Sequence, residues 1–246
     1  MTNAYENPPL VEAVCEFRFA PGADWDTTIP GLLYERLSDV YPNKTSGKHV
    51  NVTFGIEGTG LRPTIGAQDR TVFSSEDERD LVQVLPRVIS VHRKAPYTSW
   101  DAFKPRVESA LNAYLSVASP SEVYRASVRY RNQFEFTHRI EVSDYLDFYP
   151  SIGDGFEGER GAFLCGVEFP RGEEERLQVE LTTVEPQDPQ STDAMRLDLN
   201  YMLLESRDIG EFSASDWLDD AHAEVEAAFE GAITEQLRAR FRGEEV

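Results

Sequence analysis

The sequence from Val123 to Phe136, VYRASVRYRNQFEF, carries the clearest structural pattern of this chain. Its residues alternate between apolar and polar types, which is the pattern of a β-strand with one buried face and one polar face. The apolar parity consists of Tyr124, Ala126, Val128, Tyr130, Phe134 and Phe136. The polar parity consists of Arg125, Ser127, Arg129, Arg131 and Gln133. We therefore predict a long strand that carries a stripe of arginines on its polar face.

Other segments show strand-like patterns. In Leu10 to Phe19 the polar positions include Glu12 and Glu16, and Cys15 lies on the apolar side. We predict further strands at Val50 to Ile56, Arg70 to Ser75, Leu81 to His92, Gly161 to Phe169, Leu177 to Thr183 and Met195 to Leu204. Within the long segment that ends at His92, Pro86 predicts an edge or a bulge, because proline cannot donate a ladder hydrogen bond.

Helical spacing marks segments between these strands. Thr28 is the predicted N-cap of a first helix that Pro42 stops, and Ser99 is the predicted cap of a second helix with one apolar stripe. A short helix is predicted from Val142 to Phe148. The last helix is predicted to begin within Ser213 to Asp216. One continuous apolar face of that helix consists of Leu218, Ala221, Val225, Phe229, Ile233 and Leu237.

The order of elements repeats in the second half of the chain. Similar segments, Thr98 to Asp101 and Ser215 to Leu218, introduce the two long helices. We predict an α+β fold of two consecutive strand-helix-strands-helix units, residues 1–120 and 121–246, in one continuous body. The units would form a curved antiparallel sheet with long helices on one face and the other face open. This order resembles the TATA-box-binding-protein-like fold and the helix-grip folds, which hold apolar ligands.

The composition is that of a globular chain, with 246 residues of which 40% are hydrophobic and 28% charged. Its 44 acidic and 24 basic residues give a formal charge of -20, which repels phosphate backbones and predicts no broad nucleic-acid binding. A salt-adapted surface is the alternative explanation of this charge. No stretch approaches the about 18 apolar residues of a membrane span. Residues 1–6 carry no Lys or Arg, so we expect no signal peptide and a cytoplasmic location.

Several segments carry a family resemblance. They are the opening NPPLVEAVCEFRF from Asn7 to Phe19, Pro96 to Trp100, the central VRYRN from Val128 to Asn132, and Leu197 to Leu199 with the final helix. Together they resemble an uncharacterised, sporadically distributed family of bacterial proteins. The resemblance implies a cytoplasmic protein of mobile or antiphage-defence genes, and it brings no activity, cofactor or catalytic residue. Members commonly have an apolar residue at the position of Arg131.

The arginine stripe is the sharpest candidate site. Arg125, Arg129 and Arg131 present planar guanidinium groups, which suit carboxylate or phosphate and predict a patch for a small anion. Alternatively, the carboxylates on the polar parity of their own strands neutralise the arginines as a cross-strand ladder. These carboxylates are Glu12, Glu16, Glu180 and Asp198. In a third interpretation, the same carboxylates bind a divalent metal ion that would serve phosphoester chemistry. Their spacing in the sequence is not diagnostic of a metal site, so we predict none.

Other chemical motifs are weak. The 4 histidines are scattered, and His92 is interpreted as a solvated strand end or as a base or phosphate contact. Gly55 to Gly60 lacks the lysine of a P-loop and predicts a hairpin turn, and Gly153 to Gly161 predicts a flexible acidic loop. Cys15 and Cys165 both lie in apolar patterns and are expected as free, inward-facing thiols.

Three functions follow from these patterns. The favoured one is a non-enzymatic binding or regulatory protein that engages a protein partner, such as a basic toxin in a bacterial defence system. The second is a sensor of a small anionic ligand bound by the arginine stripe. The third is a metal-dependent hydrolase or nuclease. No cofactor is predicted, and an enzyme is the less favoured class because no catalytic motif is present.

Overall fold

The structure is a computed structural model that describes residues 5–20, 25–57, 60–151, 158 and 160–244. Side chains are described for all of these residues except those within 49–66. In order along the chain the strands are β1 (Leu10–Phe19), β2 (Asn43–Glu57), β3 (Gly60–Ser74), β4 (Asp80–Leu85), β5 (Val88–Lys94), β6 (Glu122–Phe136), β7 (Leu164–Arg171), β8 (Glu175–Thr183), β9 (Asp193–Leu203) and β10 (Arg207–Asp208). The helices are α1 (Ile29–Leu37), α2 (Trp100–Ala118), α3 (Val142–Tyr145), α4 (Ala214–Ala232) and α5 (Glu235–Phe241).

The ten strands within the described residues belong to one antiparallel sheet. The strand order is β2-β3-β4-β5-β1-β6-β9-β8-β7, and the short β10 pairs with the start of β6. The first strands of the two halves of the chain, β1 and β6, are therefore neighbours at the centre of the sheet. The last strand of the first half, β5, lies next to β1, and the last long strand of the second half, β9, lies next to β6. The prediction of an α+β fold with a large antiparallel sheet is confirmed, and the protein is richer in strand than the two-unit description.

One face of the sheet builds the hydrophobic core. On β1 this face carries Ala13, Cys15, Phe17 and Phe19, each at most 1% exposed. Aromatic contacts between helix and strand use the same face, as in the stacking of Phe19 on Tyr114 of α2 at 4.7 Å and the contact of Phe134 with Phe241 of α5 at 5.9 Å. We call the opposite side, which holds Glu12, Glu16 and the alternate residues of the neighbouring strands, the open face. Among the described residues, no helix packs on the open face.

Local chemistry explains where the helices begin. The Ser99 hydroxyl accepts a hydrogen bond from the Ala102 backbone N–H at 3.2 Å, which confirms the predicted cap of α2. Thr28 precedes α1 but its side chain caps no backbone group there. Its backbone N–H and its hydroxyl both donate to Asp26 instead, each at 2.8 Å. The short α3 ends at Tyr145, three residues before the predicted end at Phe148.

Three local predictions are wrong. Leu81 to His92 is not one strand, because Pro86 and Arg87, the latter with a φ of 61°, turn the chain between β4 and β5. The last helix is not continuous, because Ile233 is extended and bridges Leu146, after which α5 starts. Tyr124 is 39% exposed, because a register shift between Arg18 and Phe19 opposite it turns Val123 inward in its place.

Two loop predictions fall partly or largely outside the described residues. Residues 58 and 59, within the predicted glycine-rich hairpin turn, are not described, but Glu57 and Gly60 on either side of them are paired. Most of the predicted acidic loop from Gly153 to Gly161 is also not described. In the described part of the chain, no helix has the length and apolar character needed to cross a membrane.

Candidate functional site on the open face of the sheet

The strand registers place four of the predicted site residues side by side. Arg131 on β6 lies opposite Glu12 on β1 and opposite Asp198 on β9, and Asp198 lies opposite Glu180 on β8. Arg129 occupies the next position of the same face, two residues along β6. Because directly opposed residues share one face of a sheet, these side chains converge on the open face.

Asp198 is the centre of the charged cluster. Its carboxylate accepts hydrogen bonds from Arg129 at 2.8 Å and from Arg131 at 3.2 Å. Arg196, on the same strand, forms a third ion pair with it at 3.3 Å. The Asp198 side chain is 4% exposed, whereas the arginines are about one third exposed, at 39%, 32% and 33%. Arg196 is not among the predicted site residues, although the alternation of Arg196, Asp198 and Asn200 along β9 places it on the same face as Asp198.

Glu12 connects this cluster to the first half of the sheet. It accepts a hydrogen bond from Arg131 at 2.7 Å and contacts Nδ1 of His92 at 3.0 Å. The hydrogen bond from His92 and the nearby Arg131 charge lower the pKa of Glu12, although burial acts in the opposite direction. The other ring nitrogen of His92, Nε2, lies 2.9 Å from the Ser90 hydroxyl and 2.8 Å from the Gln83 side-chain amide. His92 is therefore a structural member of the cluster and not a solvated strand end.

The contacts continue across six strands of the sheet. Arg70 on β3 donates to Gln83 on β4 at 3.3 Å, and from Gln83 the contacts run through His92, Glu12 and the Asp198 cluster. We call this set the open-face network; it consists of Arg70, Gln83, Ser90, His92, Glu12, Arg129, Arg131, Asp198 and Arg196. The network fixes the positions of its charged groups before any ligand arrives.

Three other predicted site residues lie on the open face but outside the network. Glu16 pairs with Arg18 of its own strand at 2.7 Å. Arg125 donates to the sulfur of Met202 at 2.9 Å, and no carboxylate among the described residues pairs with it. Glu180 has neither an ion pair nor a hydrogen bond with any described residue, although it lies directly opposite Asp198.

A cleft of about 240 Å³ lies beside Asp198, and we call it the β8–β9 cleft. Its lining consists of Arg129, Gln178, Glu180, Asp198 and Asn200. Two buried polar atoms there, Nε of Arg129 and Oδ1 of Asn200, have no hydrogen-bond partner in the described part of the chain. Buried polar atoms are nearly always paired, so these two indicate a place where an external polar group fits.

The charge of the open face differs from that of the whole protein. Where its side chains are described, the open face carries eight cationic and eight carboxylate side chains, although the chain as a whole has a charge of -20. The cations are Arg18, Arg70, Lys94, Arg125, Arg129, Arg131, Arg176 and Arg196, and the carboxylates are Glu12, Glu16, Glu122, Glu135, Glu168, Glu180, Asp198 and Asp208. The helices and loops therefore carry the acidic excess.

The carboxylates of the open face are arranged around arginines. Within the described ranges, no group of three His, Cys, Asp or Glu side chains is placed to hold a metal ion. Glu12 and Asp198, both predicted as alternative metal ligands, contact the same Arg131 guanidinium from opposite sides. A cation already occupies the position that a metal between these two carboxylates would take.

The helix-covered side holds a second polar cluster that the sequence did not indicate. The Tyr130 hydroxyl contacts Nδ1 of His222 at 2.8 Å, and the indole of Trp100 stacks on the His222 ring at 4.4 Å. Burial lowers the pKa of His222 to about 4. Trp100 also donates to Asp219 at 2.8 Å, so the cluster joins α2, α4 and β6. Its groups satisfy one another, which is the behaviour of a buried structural network.

Grooves with apolar lining, of the kind in which helix-grip folds hold apolar ligands, lie on the helix-covered side. A groove of about 320 Å³ lies between β7, β8 and α4 and is lined by Phe169, Leu177 and Ala228 among others.

Both cysteines are free, but only Cys15 is fully buried, whereas Cys165 is partly exposed.

Comparison with known proteins does not add to this description. The chain matches no protein-family model, and no curated protein matches it significantly. The function proposed below therefore depends on the geometry of the open face.

Proposed function

We propose that the protein is a non-enzymatic binding or regulatory protein that docks a protein partner on the open face of its sheet. The observation that carries this proposal is the open-face network, which holds charged groups in fixed positions over six strands on a face that no described helix covers. Groups that are already ordered lose little conformational entropy when a partner binds.

The size of the face is adequate for a stable complex. From β4 to β7 the sheet contains seven strands, which at about 4.8 Å spacing span about 29 Å. Along the strands, the paired part of β1 and β6 from Glu12 to Arg18 is about 23 Å long at about 3.3 Å per residue. The product, about 700 Å², is close to the about 800 Å² that each partner contributes to a standard interface.

The charge of the face selects the kind of partner surface. The open face is balanced as a whole, but the middle of β6 and β9 carries four arginines, Arg125, Arg129, Arg131 and Arg196, against one carboxylate, Asp198. An acidic patch on the partner therefore fits this central part better than a basic patch. The acidic outer side of α4, which includes Asp220 and Glu224, remains the surface that suits a basic partner. We place this partner among the products of neighbouring genes in a bacterial defence or toxin-neutralising system, and we propose a cytoplasmic location.

Arg125 provides the sharpest test, because its removal breaks no ion pair among the described residues. The protein is co-expressed with its neighbouring gene products, and complexes are measured by affinity capture at increasing salt. We expect Arg125→Ala to weaken the complex about tenfold and Arg36→Ala, a control on the exposed side of α1, to leave it unchanged. Recovery of no partner at low salt, or equal effects of the two variants, would contradict the proposal.

A small anionic ligand is the second candidate. The specific observation in its favour is that the Arg125 guanidinium has no carboxylate partner among the described residues. A thermal-shift screen of organic and inorganic anions tests it, and Arg129→Ala is expected to remove any stabilisation. A shift that survives this substitution places the anion elsewhere. The metal-dependent hydrolase is disfavoured by the pairing of Arg131 with both carboxylates, and metal-dependent stabilisation of the protein would reopen it.

The finer description of the fold is also a proposal. We infer an internal duplication, with units 1–120 and 121–246, in a TATA-box-binding-protein-like or helix-grip-like arrangement. It is supported by the strand order, in which β1-β5-β4-β3-β2 runs outward on one side and β6-β9-β8-β7 on the other. An experimental structure in which the two halves do not superpose strand by strand would contradict the duplication.

A further inference from the structure

The β8–β9 cleft has hydrogen-bonding capacity that no described residue uses. Gln178, Asn200 and Arg129 lie opposite one another in register on three adjacent strands, and Glu180 and Asp198 form the next row. Asp198 is saturated by arginines, but Glu180 has no described partner and Oδ1 of Asn200 is buried without one. Unpaired polar groups cost stability, so the presence of Glu180, Oδ1 of Asn200 and Nε of Arg129 in one cleft points to a ligand.

The unused groups fall into two kinds. Glu180, Oδ1 of Asn200 and the amide oxygen of Gln178 are acceptors, three in number, and an ammonium group has three N–H donors. Arg129 is a donor whose Nε is unpartnered and whose side chain is 39% exposed. A ligand that satisfies both kinds must carry a donor-rich cation and an acceptor-rich anion a short distance apart.

The local charge agrees with a neutral ligand. Around the cleft, Arg129, Arg131 and Arg196 are balanced by Asp198, Glu12 and Glu180, so an ion of either sign would disturb the balance. The lining consists of polar and charged residues and includes no aromatic side chain on which a nucleobase could stack. The volume of about 240 Å³ lies below the range of about 300–1,000 Å³ for drug-sized ligands. The ligand is therefore small and polar.

We propose that the β8–β9 cleft binds a free amino acid in its zwitterionic form. Its ammonium group donates to Glu180 and to Oδ1 of Asn200, and its carboxylate accepts from the Arg129 guanidinium. This site goes beyond the proposed partner docking, which needs the open face but not the cleft. Binding of the amino acid next to Asp198 would make the open face sensitive to a metabolite.

The test is a thermal-shift and calorimetric screen of the full chain against the twenty standard amino acids at 10 mM. At a concentration of 100 times its Kd, the bound amino acid should raise Tm by about 5–10 °C. Glu180→Gln should weaken binding about 10–100-fold, because it removes a charge-assisted hydrogen bond. The matched control is Glu168→Gln on β7, which lies on the same face, pairs with Arg176 at 2.8 Å and does not line the cleft.

Derivatives of the amino acid that gives the largest shift test the ammonium and the carboxylate group one at a time. We expect its N-acetyl form, which is only an anion, and its methyl ester, which is only a cation, to bind at least tenfold more weakly. A shift below 1 °C for all twenty amino acids would overturn the proposal, as would equal binding of either derivative. Loss of binding in Glu168→Gln, or retention in Glu180→Gln, would also overturn it. If partner capture still depends on Arg125, the docking proposal stands independently of these results.

Discussion

Removal of the Asp198 charge is the most informative perturbation of the open-face network. Asp198→Asn keeps the size of the side chain but leaves Arg129, Arg131 and Arg196 without the carboxylate that joins them. One partner of each pair, Asp198, is 4% exposed, and the arginines are about one third exposed. The cost should therefore lie between that of an exposed pair and that of a buried one.

The magnitude follows from this intermediate burial. Exposed pairs contribute about 0–1 kcal/mol, and removal of one partner of a buried pair costs about 3–5 kcal/mol. We expect Asp198→Asn to lower the free energy of unfolding by about 2–3 kcal/mol, since solvent screens the arginine heads. For a chain of this size that corresponds to a fall in Tm of about 5–10 °C. Urea unfolding should show a lower midpoint at an unchanged m-value.

Glu180→Gln is the matched control for this measurement. Glu180 lies directly opposite Asp198 on the same face and has no ion pair with a described residue, so its substitution should change stability by less than about 0.5 kcal/mol without ligand. A similar stability for the two variants, or an Asp198→Asn protein as stable as wild type, would refute the view that Asp198 organises the network.

Other predictions concern the core and the helix ends. His222, whose pKa falls from an ordinary 6.5 to about 4 on folding, binds its proton more readily in the unfolded chain. The stability that His222 contributes should therefore be fully present above pH 6.5 and fall by about 3 kcal/mol as the pH drops from 6.5 to 4. In urea titrations this part of the pH dependence should be absent from His222→Phe, whereas the part due to carboxylates of lowered pKa, such as Glu12, should stay. In the native protein a thiol reagent should label Cys165 but not Cys15, which is buried and whose pKa is raised by burial, until the chain unfolds. Ser99→Ala should cost about 1 kcal/mol through loss of the cap, and Thr28→Ala, which removes no cap, clearly less.

The two faces of the sheet could be predicted because each strand alternates with period two. The parity of β6 and β1 placed Arg129, Arg131 and Glu12 on one face without knowledge of the register. Whether two of these side chains touch depends on the register and on side-chain reach, which is why Glu16 pairs with Arg18 of its own strand instead of with the stripe. The unpaired state of Glu180 was not predictable for the same reason.

Tertiary contacts caused the other errors. Ile233 and Leu237 continue the helical spacing of α4 and are both buried, so the sequence predicts one helix, but the bridge of Ile233 with Leu146 interrupts it. The turn at Pro86 and Arg87 lacks the glycine or asparagine that normally marks a tight hairpin. The pairing of Tyr130 with His222 joins residues 92 positions apart, and no local pattern indicates such a contact.

Site-specific labelling distinguishes the open face from the helix side as the surface on which a partner docks. In a Cys165→Ser background, a cysteine replaces Ser127 in the middle of the open face or Asp220 on the outer side of α4, and maleimide labelling rates are compared with and without the captured partner. The account predicts that the partner slows labelling at position 127 at least tenfold and leaves position 220 unchanged. Protection at position 220 with undiminished labelling at position 127 would contradict it.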